Sequence, residues 1–366
     1  MQRPVIEFIR EMVECETPSG DAAAIGRFID LFTARCGDIA KFKKKPGGKW
    51  GPHLMCEFTL PGRRKLAGDV LGLGHSDTVY PLGVLKSMPW RETPERLHGP
   101  GVLDMKAGLA FFVFAMRTLR ELDRPVARRV LLQINSEEEV GSPASRALTE
   151  ANAQRARAVL VLEPGTGLTG KLKTARKGIG RYMLKVHGLS AHAGVDFTAG
   201  ASAIVELAHQ IEAVAALTDL KKGRTLNPGV IAGGTRSNVI ADFATCELDV
   251  RVETLRDAAV VDRLLRALKA NDRRCRVEIE GGLNRPPMER SNGVAQLFAL
   301  ARQCDPRVEE SSTGGGSDGN FTAALGVPTL DGLGAVGEGA HAPRESILKA
   351  RIADRVALLA HLTASL

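Results

Sequence analysis

The chain has 366 residues, long for one domain and comfortable for two, and 44% of them are hydrophobic, enough for buried cores. Its net charge of +8 suits an anionic partner, but only 4% of residues are aromatic. No basic stretch interleaves with stacking residues, which argues against nucleic acid, and no apolar run approaches the ~18 residues of a membrane span.

The first segment, MQRPVIEFIREM, mixes two acidic residues with its apolar ones and predicts a helix, not a signal peptide. A soluble, cytoplasmic protein is therefore expected. The run Lys41, Lys43, Lys44, Lys45 reads as a solvated basic face, and the overall positive potential favours an anionic substrate. Six cysteines lie far apart, with no Cys-x-x-Cys, and read as free thiols. Short apolar runs at 69–74, 130–134, 158–162 and 327–333 lack polar alternation, as expected of strands buried on both faces. Between the first two, Leu109, Phe112, Val113, Met116 and Leu119 have helical spacing and predict a helix over 104–122. Strands alternating with helices predict an α/β domain with a mostly parallel sheet flanked by helices.

From about 180 the pattern changes. Strands are predicted at 181–189, 226–232, 243–252 and 275–280, with helices at 201–217 and 256–270. This β-α-β-β-α-β order is the ferredoxin-like split unit. The expected organisation is a discontinuous domain, 1–178 and 287–366, with an α+β domain inserted at 179–286.

In an open α/β sheet, ligands bind beyond the carboxyl ends of the strands. His75 and Asp77 follow the first apolar strand, Glu137-Glu138-Glu139 follow the second, and Glu163 follows the third. His341 lies a loop beyond the last strand, and Asp104 opens the predicted helix. Individually each residue has a bland explanation: a hydrogen-bonded histidine, a helix cap, a solvated acidic face. Those explanations predict no common location, whereas the five segments converge on one sheet edge. Histidine and carboxylate donors without thiolates suit zinc, or cobalt or manganese, in a catalytic site. Two such ions ~3.5–4 Å apart clamp a carbonyl and acidify water. A further carboxylate must then move a proton to the leaving amine. The glutamate cluster can supply both a ligand and that base.

Two competing motifs fail on context. Gly165-x-x-x-x-Gly170-Lys171 approaches a phosphate loop, but Leu172 follows where a hydroxyl is needed. Gly315-Gly316-Ser317-Asp318-Gly319 fits a nucleophile elbow, but the preceding VEESSTGG is not strand-like.

The segments GHSDTVYPLG, GPGVLDMKAG, SEEEVGS, VLEP, SAHAG, GGTRSNVIAD and GGGSDG…EGAHAPRE resemble, in order, the di-zinc metallopeptidases. That family includes glutamate carboxypeptidase, aminoacylase, acetylornithine deacetylase and succinyl-diaminopimelate desuccinylase, and the glutamate carboxypeptidase branch is the most similar. The resemblance implies two zinc ions, with Asp104 bridging, His75 and Glu163 on one and Glu139 and His341 on the other. It implies Glu138 as general base and Asp77 as the residue that orients His75. The inserted domain resembles the family's lid and dimerisation domain, so a homodimer is implied. There His192 resembles a histidine that polarises the scissile carbonyl in the partner's site. Asn238, Arg251 and the backbone of Gly314, Gly315 and Gly316 resemble substrate contacts. The implied reaction is release of a C-terminal, glutamate-like residue from a small peptide. The alternative is deacylation of an N-acyl amino acid, and a remote one is an inactive homologue that only binds.

Overall fold

The computed structural model describes residues 2–366, and the chain divides into two compact units. The first comprises the chain to Ala175, Arg290–Thr313 and Ser317–Leu366; the second is Arg176–Glu289 with Gly314–Gly316. The second unit thus starts at Arg176 and ends at Glu289, a little outside the expected 179–286. The reason is local: Arg176 and Met288 exchange both backbone hydrogen bonds, each 3.0 Å, so the two linkers pair with each other.

The N-terminal segment is helical, α1 (Gln2–Glu14), and buries Val5, Ile6, Phe8, Ile9, Met12 and Val13 along one face. The first unit's main sheet contains β1 (Ala40–Lys45), β2 (His53–Phe58), β3 (Asp69–His75), β4 (Val130–Asn135) and β5 (Ala156–Val161). Their order is β1-β2-β4-β3-β5, completed by the short strand Thr329–Leu330. The pairs β4–β3, β3–β5 and β5 with Thr329–Leu330 are parallel; β2 runs against both its neighbours. The sheet is therefore mostly parallel. Every residue of β3 and β4 is buried, which is why these strands read as continuous apolar runs.

Helix α2 (Ala107–Glu121) is apolar almost all round and packs against the helix Ile352–Ser365. It approaches β3 where that strand carries glycine: a Cβ at Gly72 would lie 2.8 Å from Phe112, and one at Gly74 2.8 Å from Leu109. That close approach seats the strand end that bears His75. Two expectations need correction here. The helix begins at Ala107, not at 104, and Asp104 has non-helical φ −117°, ψ 93° in the turn before it. The last strand shrinks from 327–333 to Thr329–Leu330, because Asp331 instead bridges to Lys173.

The second unit contains β6 (Gly178–His187), α3 (Ala203–Ala215), β7 (Thr225–Gly233), β8 (Phe243–Val252), α4 (Leu255–Arg266) and β9 (Arg276–Arg285). The sheet order is β7-β8-β6-β9, all antiparallel, which is the ferredoxin-like arrangement. Burial alternates along β6 and β8, so one face carries Tyr182, Leu184, Val186, Ala244, Cys246, Leu248 and Val250 into this unit's own core. Ser202 and Thr254 cap the two helices, accepting from Val205 N and Asp257 N.

Candidate metal centre

His75 closes β3, the glutamate triplet follows β4, and Glu163 lies just past β5, so the parallel strands deliver these groups to one edge. His75 Nε2 lies 3.3 Å from Asp104 Oδ1 and 3.6 Å from Glu163 Oε1. His341 Nε2 lies 3.5 Å from the other Asp104 oxygen and 3.2 Å from Glu139 Oε1. All five sequence-predicted ligands therefore meet, with one oxygen of Asp104 facing each imidazole. Glu138 also joins: His75, Glu138 and Glu163 can place one donor atom each within 4.8 Å of one another, as can His75, Asp104 and Glu139. Donors bonded ~2.1 Å from a tetrahedral ion stand ~3.4 Å apart. The observed separations fit that spacing, so the residues present suit a metal.

The electrostatics point the same way. Burial opposes a charge on His75, but the carboxylates of Asp104, Asp77 and Glu163 outweigh it and raise its pKa well above the usual value. Asp104 and Glu139 push His341 up to about 10. Burial opposes ionisation of Asp104, yet His341 and His75 hold its carboxyl well below the carboxylate range. Glu139 shifts upward instead, because its burial outweighs the bond to His341. Protonated imidazoles supply the positive charge these acids require, and a divalent ion would replace those protons.

Asp77 does more than face an imidazole. His75 Nδ1 is 3.0 Å from its carbonyl and 3.4 Å from its carboxylate. The same carboxylate accepts the backbone N–H of Glu138 at 3.0 Å and of Glu139 at 3.2 Å, and the Ser19 hydroxyl at 2.7 Å. It thereby locks the turn that presents both glutamates. The third glutamate, Glu137, points inward: it is fully buried, and its Oε1 accepts the N–H groups of Ala144 at 3.0 Å and Ser145 at 2.7 Å. Its other oxygen accepts from Ser136 Oγ at 3.1 Å. Beyond it the backbone turns through left-handed Gly141 (φ 95°) and Ser142 (φ 58°), and the Ser142 hydroxyl is held by Asp318.

Two residues here lie inside the quoted segments but had no role assigned from the sequence. Glu345 accepts the N–H groups of Gly101, Leu103 and Asp104, replacing the helical hydrogen bonds that the Asp104 turn lacks. Lys106 is fully buried, donates to Cys15 O at 2.9 Å, and is pushed down to about 8 by burial.

The remaining predicted residues lie in the second unit. His192 is exposed, and its Nδ1 accepts the N–H groups of Gly194 at 3.1 Å and Val195 at 3.2 Å. With Nδ1 accepting, the tautomer these bonds select carries its N–H on Nε2. Asn238 accepts from Ala193 N through its carbonyl at 3.0 Å, which places it beside His192. Arg251 pairs with Asp249 through Nε at 2.7 Å and Nη2 at 2.9 Å, and its Nη1 donates to Gly314 O at 3.2 Å. Arg176 Nη1 holds Gly315 O and Gly316 O, each at 3.1 Å.

A parallel sheet whose carboxyl edge gathers histidines and carboxylates at metal spacing, joined to a ferredoxin-like unit, defines a metallopeptidase architecture. The sequence model of peptidase family M20/M25/M40 matches residues 72–365, and the chain belongs to that family. Carboxypeptidase G2 of Pseudomonas sp. (strain RS-16) is 28% identical over 353 residues, 94% of this chain and 84% of that protein. The aminopeptidase PepT of Bacillus cereus superposes with a TM-score of 0.83 at 22% identity, over 100% of this chain and 98% of that one. The YXEP protein of Bacillus subtilis, described as a dinuclear metal-binding peptidase, superposes with a TM-score of 0.71 at 14% identity, over 100% and 98%. The chain is a metal-dependent hydrolase acting on amide bonds.

Proposed function

We propose that this enzyme is a di-zinc carboxypeptidase that releases a C-terminal, glutamate-like residue from a small peptide or peptide-like amide. The observation that carries this reading is Asp104, whose two oxygens face two different imidazoles, each with its own further carboxylate. His75 and Glu163 would hold one zinc, Glu139 and His341 the other, with Asp104 between. When bound, such a pair polarises a carbonyl and acidifies water.

The chain's own groups supply the rest. Glu138, in a turn pinned by Asp77, takes the proton from water and returns it to the leaving nitrogen. His192 offers an Nε2 proton to the carbonyl oxygen as negative charge develops there, and by family resemblance serves the site of the partner in a homodimer. Arg251, Asn238 and the backbone of Gly314–Gly316 bind the substrate's free carboxylate end. A net charge of +8 favours an anionic substrate and supports this assignment.

The test is a substrate panel with zinc-loaded protein, comparing folate-type and N-acyl-glutamyl amides with N-acetyl amino acids. The glutamyl compounds are expected to give the higher kcat/KM. Preference for N-acetyl amino acids would make the enzyme a deacylase, and no hydrolysis of either would leave a binding protein.

A further inference from the structure

Glu345 is an acid for which the proposed chemistry has no use, yet it is 1% exposed and both its oxygens are committed. Oε1 accepts the N–H of Leu103 at 2.8 Å and of Asp104 at 3.0 Å. Oε2 accepts the N–H of Gly101 at 3.0 Å and faces the Tyr80 hydroxyl at 2.7 Å. The Tyr80 oxygen also lies 3.1 Å from the carbonyl of Ala342, the residue after His341. That carbonyl accepts Glu345 N at 3.0 Å as well. His341 itself holds φ 60°, a left-handed backbone that a non-glycine residue keeps only when its surroundings impose it.

One buried carboxylate therefore gathers the turn that displays Asp104, while its tyrosine partner reaches the loop that displays His341. We infer that Glu345 and Tyr80 form a positioning brace that fixes Asp104 relative to His341 and so sets the affinity of the centre for both metals. The inference rests on the two-metal reading above. Its physical basis is acceptor geometry: a carboxylate accepts on both sides, whereas an amide presents NH₂ on one. Glu345→Gln would turn a donor toward donors at a side chain that is almost wholly buried. Tyr80→Phe keeps the ring and severs only the hydroxyl tie.

The experiment is zinc titration of metal-stripped protein against a competing chromophoric chelator, with circular dichroism to verify folding. Four proteins are compared: wild type, Glu345→Gln, Tyr80→Phe and Glu206→Gln. Glu206 is the control, a buried acid of the second unit that accepts the N–H groups of Asn271 and Asp272. Glu345→Gln is expected to bind both zinc ions ~10–100-fold more weakly. Tyr80→Phe is expected to weaken one ion, that of His341 and Glu139, and Glu206→Gln neither. The brace is overturned if Glu345→Gln and Tyr80→Phe, folded, bind as wild type does, or if Glu206→Gln loses as much as they do. Should Glu345→Gln fail to fold, Tyr80→Phe decides alone. Wild type that takes up no zinc overturns the two-metal reading itself, a result distinct from any variant's.

Discussion

At the level of single residues, three adjacent glutamates take three different surroundings. Glu137 is buried and spends its carboxylate on Ala144 N, Ser145 N and Ser136. Glu139 reaches His341 at 3.2 Å. Glu138 can place a donor atom within 4.8 Å of His75 and Glu163, and its backbone N–H is held by Asp77. If Glu138 moves the proton, Glu138→Gln should lower kcat by ~10²–10⁴ while zinc content stays at the wild-type value. Turnover and metal content measured on one preparation check this. Activity within a few-fold of wild type would assign the base elsewhere, and loss of zinc would make Glu138 a ligand. The triplet is legible in the sequence as a cluster, but which glutamate faces inward is not, because Glu137 is drawn in by the N–H groups of Ala144 and Ser145, seven and eight residues along.

At the level of elements, strands buried on both faces are legible as apolar runs, and β3, β4 and β5 stand where such runs occur. The strand β1 is not legible, because in AKFKKK only Ala40 and Phe42 mark an apolar face, too short an alternation to read among four lysines. It lies at the edge of the sheet, paired only with β2, and the lysines that read as a solvated face are suited to keeping an edge from further pairing. The start of α2 was not legible either: periodicity marks the helix, but the turn at Asp104 is set by Glu345, 241 residues away. The His53 contact between β2 and the segment after β4 is equally non-local, its Nδ1 2.9 Å from Ser136 Oγ. Burial lowers the pKa of His53 from 6.5, although Glu137, Asp318 and Asp77 pull the other way. The folded chain thus keeps His53 neutral where the unfolded chain takes up a proton. The stability this contributes is full above the unfolded value and is lost as pH falls through the depressed folded one. Urea midpoints of metal-stripped protein should therefore fall less between about pH 7 and about pH 5 in His53→Gln than in wild type. Equal slopes would place the acid sensitivity in other groups.

At the level of the whole molecule, the family's signature segments are spread from β3 to the C-terminal region, and folding the first unit brings five of them to one edge. No single segment is diagnostic, since an isolated histidine or acid has a structural use in most proteins. The second unit has its own core and carries His192, Asn238 and Arg251, whose proposed roles concern substrate, not metal. Among the described residues no helix is long and apolar enough to cross a membrane. The central claim is that Asp104 joins two metal positions. Its most direct test is zinc content by mass spectrometry after saturation and dialysis, for wild type and Asp104→Asn. Two zinc ions per chain are expected in wild type and fewer than one in the variant, because both imidazoles lose their shared carboxylate. Wild type that hydrolyses amides with one zinc or none, or Asp104→Asn that retains both, would contradict it.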